Sequence, residues 1–312
     1  MIVRDRPHGV QLFFILRGSV LPHIAVALAT CTVFSVLVTV THGFLYHWKI
    51  TLTTVPFSLI GLALAIFLGF RNSAAYERYW EARKLWGDLV HRSRSFARQV
   101  LSLPDLPEPA RPEDWDDPRR LLMVRAIAFA SALRHQLRGT DASADMRRLL
   151  PRDESAALAA SARGTDFLLR RMGQGLGELV RAGRLHPALA VNVDQSLSAM
   201  AAVAAGCERI KQTPIPFAYT LLLHRTAWLY CFLLPFGLVD SVGFMTPFVV
   251  AIVAYTFFGL DALGDEIERP FGTRQHHLPL DALCRTIEIS LMEAGRESDV
   301  PPVLEPVDAV LL

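Results

Sequence analysis

An all-α protein built on four membrane-spanning helices is the fold class this sequence predicts, and three observations predict it. The first is the spacing of charge. No Lys, Arg, Asp or Glu occurs between Arg17 and Lys49, between Lys49 and Arg71, or between Asp240 and Asp261. Each gap meets or exceeds the ~20 residues a helix needs to cross ~30 Å of hydrocarbon. The second is composition: 52% of the 312 residues are apolar and only 20% are charged, against about 25% charged in soluble domains. The third is the lack of any useful β alternation or internal repeat, while the polar stretches carry apolar residues at helical spacing. A net charge of +2 is too small to point to nucleic acid.

The spans follow in chain order at 21–46, 52–70, 217–239 and 242–261. The first is too long for the 7–15 apolar residues of a signal peptide, and no small-residue cleavage site clearly follows it. The third carries Arg225 between the apolar runs PFAYTLLLH and TAWLYCFLLPFGLV. Arg4, Arg6 and Arg17 precede the first span, and Arg71, Arg78, Arg83 and Lys84 follow the second. Lys211 precedes the third, and Arg269 and Arg274 follow the fourth. With four spans all of these fall on one side, while the opposite loops hold only Lys49 and Asp240. The excess of basic residues marks the cytoplasmic side. Both termini and the 71–215 segment are therefore expected in the cytoplasm, with the spans in the cell's inner (plasma) membrane.

Residues 71–215 and 262–312 form the cytosolic helical part. Leu103–Arg119 is a loop rich in Pro and Asp. Helical patterns cover Ser73–Leu103, Pro118–Leu137, Asp153–Ala162, Asp166–Ala182 and Pro187–Lys211. No flexible linker separates the halves, so 1–312 reads as a single domain. The four cysteines, Cys31, Cys207, Cys231 and Cys284, are far apart with no CxxC pair, so neither a zinc site nor a disulfide framework follows. Enzymatic motifs are missing. Gly173-Gln-Gly175-Leu-Gly177 has the wrong spacing and no preceding strand for a dinucleotide fingerprint. No catalytic, cofactor or metal site is expected. A secondary transporter would carry inverted repeats and broken spans, and the spans show no such symmetry.

In the second span Leu62, Ile66 and Phe70 recur at i, i+4 and i+8, close to one stripe of a helix. Gly61, Ala63, Ala65 and Gly69 lie beside them, and small residues let helices approach closely. The pattern leaves two readings open. The stripe packs on a helix or faces lipid, or several copies set it around an axis, where an apolar ring can gate ions by dewetting. Arg225 is expected to snorkel or to pair with Asp261, since intramembrane charges are usually compensated. Asp265, Glu266 and Glu268 read as solvated charges at a helix end.

The run Phe70–Gly87, FRNSAAYERYWEARKLWG, resembles the segment that closes the second membrane helix in bacterial homologues of the bestrophin family of ion channels. Arg17-Gly18-Ser19, Thr213–Tyr219 (TPIPFAY) and Glu266–Asp281 (EIERPFGTRQHHLPLD) are similar to further motifs of that family, in the same order. The resemblance covers nearly the whole chain. It implies a homopentamer around an axial pore, with itself, monovalent ions and the lipid bilayer as partners and no cofactor. It implies an apolar neck at Leu62, Ile66 and Phe70. Pro187 precedes Pro216 by 29 residues, which by the same resemblance puts Ala188 at a cytosolic aperture. Eukaryotic members bind calcium through acids after their PFG motif. Thr273, Arg274, Gln275, His276 and His277 stand there instead, so no calcium gating is expected, because calcium needs oxygen ligands. The bacterial branch implies monovalent cation permeability, with a chloride or anion channel as the alternative and a transporter or membrane enzyme behind both.

Overall fold

A computed structural model describes residues 1–3, 9, 15–45, 48–49, 52–107 and 115–312. Arg4, Arg6, the expected end of the first span at 46 and part of the Pro- and Asp-rich loop lie outside the described residues. Among the described residues the regular structure is helical apart from isolated bridges near the termini and one two-residue ladder, in which β1 (Phe44–Leu45) pairs antiparallel with β2 (Trp48–Lys49). Where the sequence suggests one domain, the fold divides into two compact units. One comprises Arg4–Tyr79 and Pro214–Pro270, the other Met1–Val3, Trp80–Thr213 and Phe271–Leu312.

The first unit holds the apolar helices. α1 (Leu21–Val40) begins where Ser19 Oγ accepts the Leu21 N–H at 3.1 Å, with a proline in its first turn, where the missing N–H costs nothing. It ends at Val40, short of the expected 46, because His42 and Gly43 turn the chain through positive φ. α2 (Thr54–Ser102) is one uninterrupted helix of 49 residues, about 73 Å long at 1.5 Å per residue. The second span and the helix expected after it are therefore the same element. α8 (Phe217–Val242) and α9 (Thr246–Ile267) are joined by a single 3-10 turn at Gly243–Met245. By apolarity alone Phe217–Ile267 is one run. Gly243 breaks it with φ +60°, a conformation that favours glycine, and α8 and α9 then pack on each other.

Cys31 of α1, Leu64 and Leu68 of α2, Ala227 and Cys231 of α8 and Ala254 of α9 meet in one buried core. Outside it Val26, Val33 and Val40 of α1 remain 70–79% exposed. Such an apolar exterior suits hydrocarbon rather than water. The chain is a membrane protein.

The second unit takes the rest of α2 with α3 (Pro118–Arg138), α4 (Ser143–Leu149), α5 (Arg152–Ala159), α6 (Gly164–Arg181), α7 (Pro187–Gln212) and α10 (Leu280–Ala294). α3 is its centre, packed against α4, α6, α7 and α10. It starts at Asp117, whose carboxylate accepts the Arg119 N–H at 2.8 Å. Arg125 forks onto Glu154 at 2.8 and 2.9 Å, and Arg138 reaches Asp281 at 2.7 Å. α7 is also long and apolar enough to cross a membrane. It packs instead on α3 and α6, with Met200, Val203 and Cys207 buried.

Candidate functional site

The candidate site is the first half of α2. A helix turns 100° per residue, so positions 57, 64, 68, 71 and 75 share one face and 62, 66 and 70 another. The two faces differ sharply. Leu64, Leu68, Arg71 and Ala75 are buried, each 2% exposed or less. Leu62, Ile66 and Phe70 are 61%, 47% and 62% exposed, continued by Leu59 at 66%. An apolar stripe thus runs along one side of α2 with no cover from its own chain among the described residues.

At the charged end of this stripe sits a compact ionic cluster. Arg71, directly after Phe70, has a fully buried side chain. Its Nη1 donates to Asp261 Oδ1 at 2.6 Å, its Nη2 to Asp265, and Glu268 Oε2 lies 3.7 Å away. Glu268 in turn accepts the Ile215 N–H at 3.1 Å. The second Asp261 oxygen meets His224 Nδ1 at 2.7 Å, and Trp228 Nε1–H donates to His224 Nε2 at 3.1 Å. The partner of Asp261 is therefore not Arg225. His224 and Arg225 are 100° apart on α8, so only one can face α9, and Arg225 is exposed. The reading of Asp265, Glu266 and Glu268 as solvated charges also gives way: Glu266 and Glu268 are buried, and Asp265 is tied to Arg71.

Arg71 is the residue that sequence reasoning missed. Its signal was present, because it falls three residues after Leu68 and seven after Leu64, in phase with the buried face. Ala188 lies in the first turn of α7, exposed, with its N–H donating to His186 Nδ1 at 3.2 Å. It belongs to the second unit. His277 is buried and its Nδ1 accepts the Arg274 N–H at 3.2 Å. Among the described residues no cluster of three or more His, Cys, Asp or Glu is arranged to hold a metal ion.

Comparison with known proteins fits this arrangement. A family model described as bacterial/fungal bestrophin protein matches residues 1–293. A voltage-dependent anion channel-forming protein of Mesorhizobium japonicum is 45% identical over 308 residues, 99% of this chain and 96% of that protein. The voltage-dependent anion channel-forming protein YneE of Escherichia coli K12 is 42% identical over 306 residues, 98% of both chains. The crystal structure of a bacterial bestrophin homologue from Klebsiella pneumoniae superposes with a TM-score of 0.83 at 42% identity, over 88% of this chain and 100% of that one. The Mesorhizobium and Escherichia relatives are named as channel-forming proteins, not as enzymes. The chain belongs to the bestrophin family, in its bacterial and fungal branch.

Proposed function

We propose that the protein is an ion channel of the inner membrane, in which five copies set α2 around a common axis and small monovalent ions pass between them. The observation that carries this reading is the bare stripe of Leu62, Ile66 and Phe70, backed by a buried opposite face on the same helix. In a bestrophin chain such a stripe serves as the neck of a pore. A narrow apolar bore expels water and so gates conduction. Ala188 forms the cytosolic aperture, and both termini lie in the cytoplasm, on the side rich in Lys and Arg. Thr273–His277 offers no carboxylate, so conduction needs no calcium.

An apolar neck has no charge with which to choose an ion, so selectivity rests on charges and helix dipoles outside it. The sequence resemblance favours monovalent cations. The names of the relatives from Mesorhizobium japonicum and Escherichia coli favour anions and lend the cation reading no support. The reversal potential of purified protein in a planar bilayer under a KCl gradient separates the two. A potential near that of chloride assigns an anion channel, and one near that of potassium a cation channel. Ile66→Ala shortens the neck side chain and is expected to raise the conductance several-fold. Unchanged current in that variant, or no current from the native protein, overturns the assignment.

A further inference from the structure

The cluster behind the neck holds a group that the pore itself does not use. His224 is its most exposed ring, with a side chain 52% exposed in the single chain, while its partner Asp261 is 7% exposed and Arg71 fully buried. Its hydrogen bonds fix its state. An indole N–H can only donate, so the 3.1 Å contact with Trp228 requires Nε2 to be a bare acceptor. The ring hydrogen then sits on Nδ1 and points at Asp261 Oδ2, 2.7 Å away. His224 is held as the neutral tautomer, with both nitrogens engaged.

Besides its apolar packing on α2, α8 has two polar links towards the Phe70 turn: this ring, by way of Asp261, and a tyrosine. Tyr219 Oη donates to the Phe67 carbonyl at 3.1 Å. Asp261, which His224 touches, holds Arg71 at 2.6 Å. The two attachments bracket the helical turn Phe67–Arg71, and that turn carries Phe70. A solvent proton added to Nε2 would set two N–H groups head to head and deprive Trp228 of its acceptor. It would also place a cation on Asp261 in competition with Arg71.

We propose that His224 is a proton-responsive positioning residue, linking solvent pH to the set of the Phe70 turn through Asp261 and Arg71. The charged groups around it are few. α9 presents Asp261 and Asp265, and Glu268 follows it; α2 presents Arg71; α8 adds Arg225, Tyr219 and Tyr230. The titratable side chains of α1 are His23 and Cys31. Histidine is the side chain that ordinarily changes charge between about pH 5 and 8. The readout in current rests on the channel reading, whereas the link from His224 to Trp228 does not.

The experiment therefore has two arms. Tryptophan emission of the purified protein in detergent is followed from about pH 8 to about pH 5.5, with Trp228→Phe defining the Trp228 component. Bilayer conductance is measured over the same range. The Trp228 component is expected to titrate in the native protein and to be flat in His224→Gln, whose amide can still donate to Asp261 and accept from Trp228. Native conductance is expected to change at least two-fold across the range, and His224→Gln to abolish that change. A native Trp228 signal indifferent to pH, or a His224→Gln channel that keeps the native pH response, overturns the proposal. A normal emission titration in a protein that carries no current would remove the channel reading and leave the proton link standing.

Discussion

At the scale of single residues, the fold depends most on a charge that the sequence places among leucines. Arg71 is fully buried against Asp261, Asp265 and Glu268. Removing one partner of such a cluster leaves uncompensated buried charge, which costs about 3–5 kcal/mol. Arg71→Met is therefore expected to lower the thermal unfolding midpoint in detergent by many degrees. Arg225→Met, at an exposed site, should stay within about 0.5 kcal/mol of the native protein. A larger loss at Arg225 than at Arg71 would restore the pairing that the sequence suggests. Arg225 stood out in the sequence and Arg71 did not, because hydropathy weighs a charge only by the run it interrupts. A charge inside an apolar run looks exceptional, whereas one at its end looks ordinary; only the phase of Arg71 with Leu64 and Leu68 tells its true position. A second residue-scale prediction concerns Asp145 on α4. Burial pushes its carboxyl up, but hydrogen bonds from Ser131 and His135, with Arg134 nearby, outweigh that and hold it below the usual carboxylate range. A depressed carboxylate stabilises the fold above its unfolded pKa, and that contribution fades as pH falls through the folded value. Ser131→Ala, losing a 2.7 Å bond, should cost about 1.5–3 kcal/mol at neutral pH. The deficit should close in acid as Asp145 is protonated in both proteins, as read by denaturant unfolding at each pH.

At the scale of elements, the four apolar helices were legible because a charge-free run of membrane length is rarely anything but a span. Their ends were not. α1 stops six residues before its expected end, since a positive-φ turn at His42 and Gly43 leaves no trace in hydropathy. α2 runs on to Ser102 because no proline interrupts it after Pro56, and Gly69 and Gly87 sit within the helix rather than ending it. α4 has only seven residues, too few for a periodic signal, whereas α10, expected only as part of a helical 262–312, carries Leu280, Cys284, Ile287 and Leu291 at a spacing that places it. Packing between α8 and α2 yields a sharp test. A Cβ built at Gly237 of α8 would lie 2.6 Å from the ring of Phe57 on α2. That separation is far inside van der Waals contact, and small residues at membrane helix crossings permit such approach. Gly237→Val is expected to force the helices apart and to lose folded protein on size-exclusion chromatography. Adding Phe57→Ala should recover much of it, since the ring is what the new side chain meets. Failure of the second substitution to rescue would place the constraint on Gly237 elsewhere.

At the scale of the whole molecule, the stripe on α2 distinguishes a pore from a surface that lipid covers. One chain exposes apolar residues on several helices, so exposure alone does not separate Ile66 from Val33 of α1, which is 70% exposed. Contact with water does. In the proposed pentamer Ile66 lines an axial path that ions and water enter, whereas Val33 faces hydrocarbon. Cysteines at these two positions should therefore differ toward a charged, membrane-impermeant thiol reagent. The background suits the experiment: Cys31, Cys207, Cys231 and Cys284 are all buried. Burial pushes the Cys207 and Cys284 thiols up to about 12, far from the thiolate that such reagents attack. The native protein should thus stay unmodified at neutral pH. Ile66→Cys should react from the aqueous side and lose most of its current, because a charged adduct in a narrow apolar neck blocks it. Val33→Cys should neither react nor change the current. Equal labelling of the two would mean that lipid or a neighbouring helix covers the α2 stripe. A mass in detergent of five chains, together with selective block at Ile66, would set α2 around the axis.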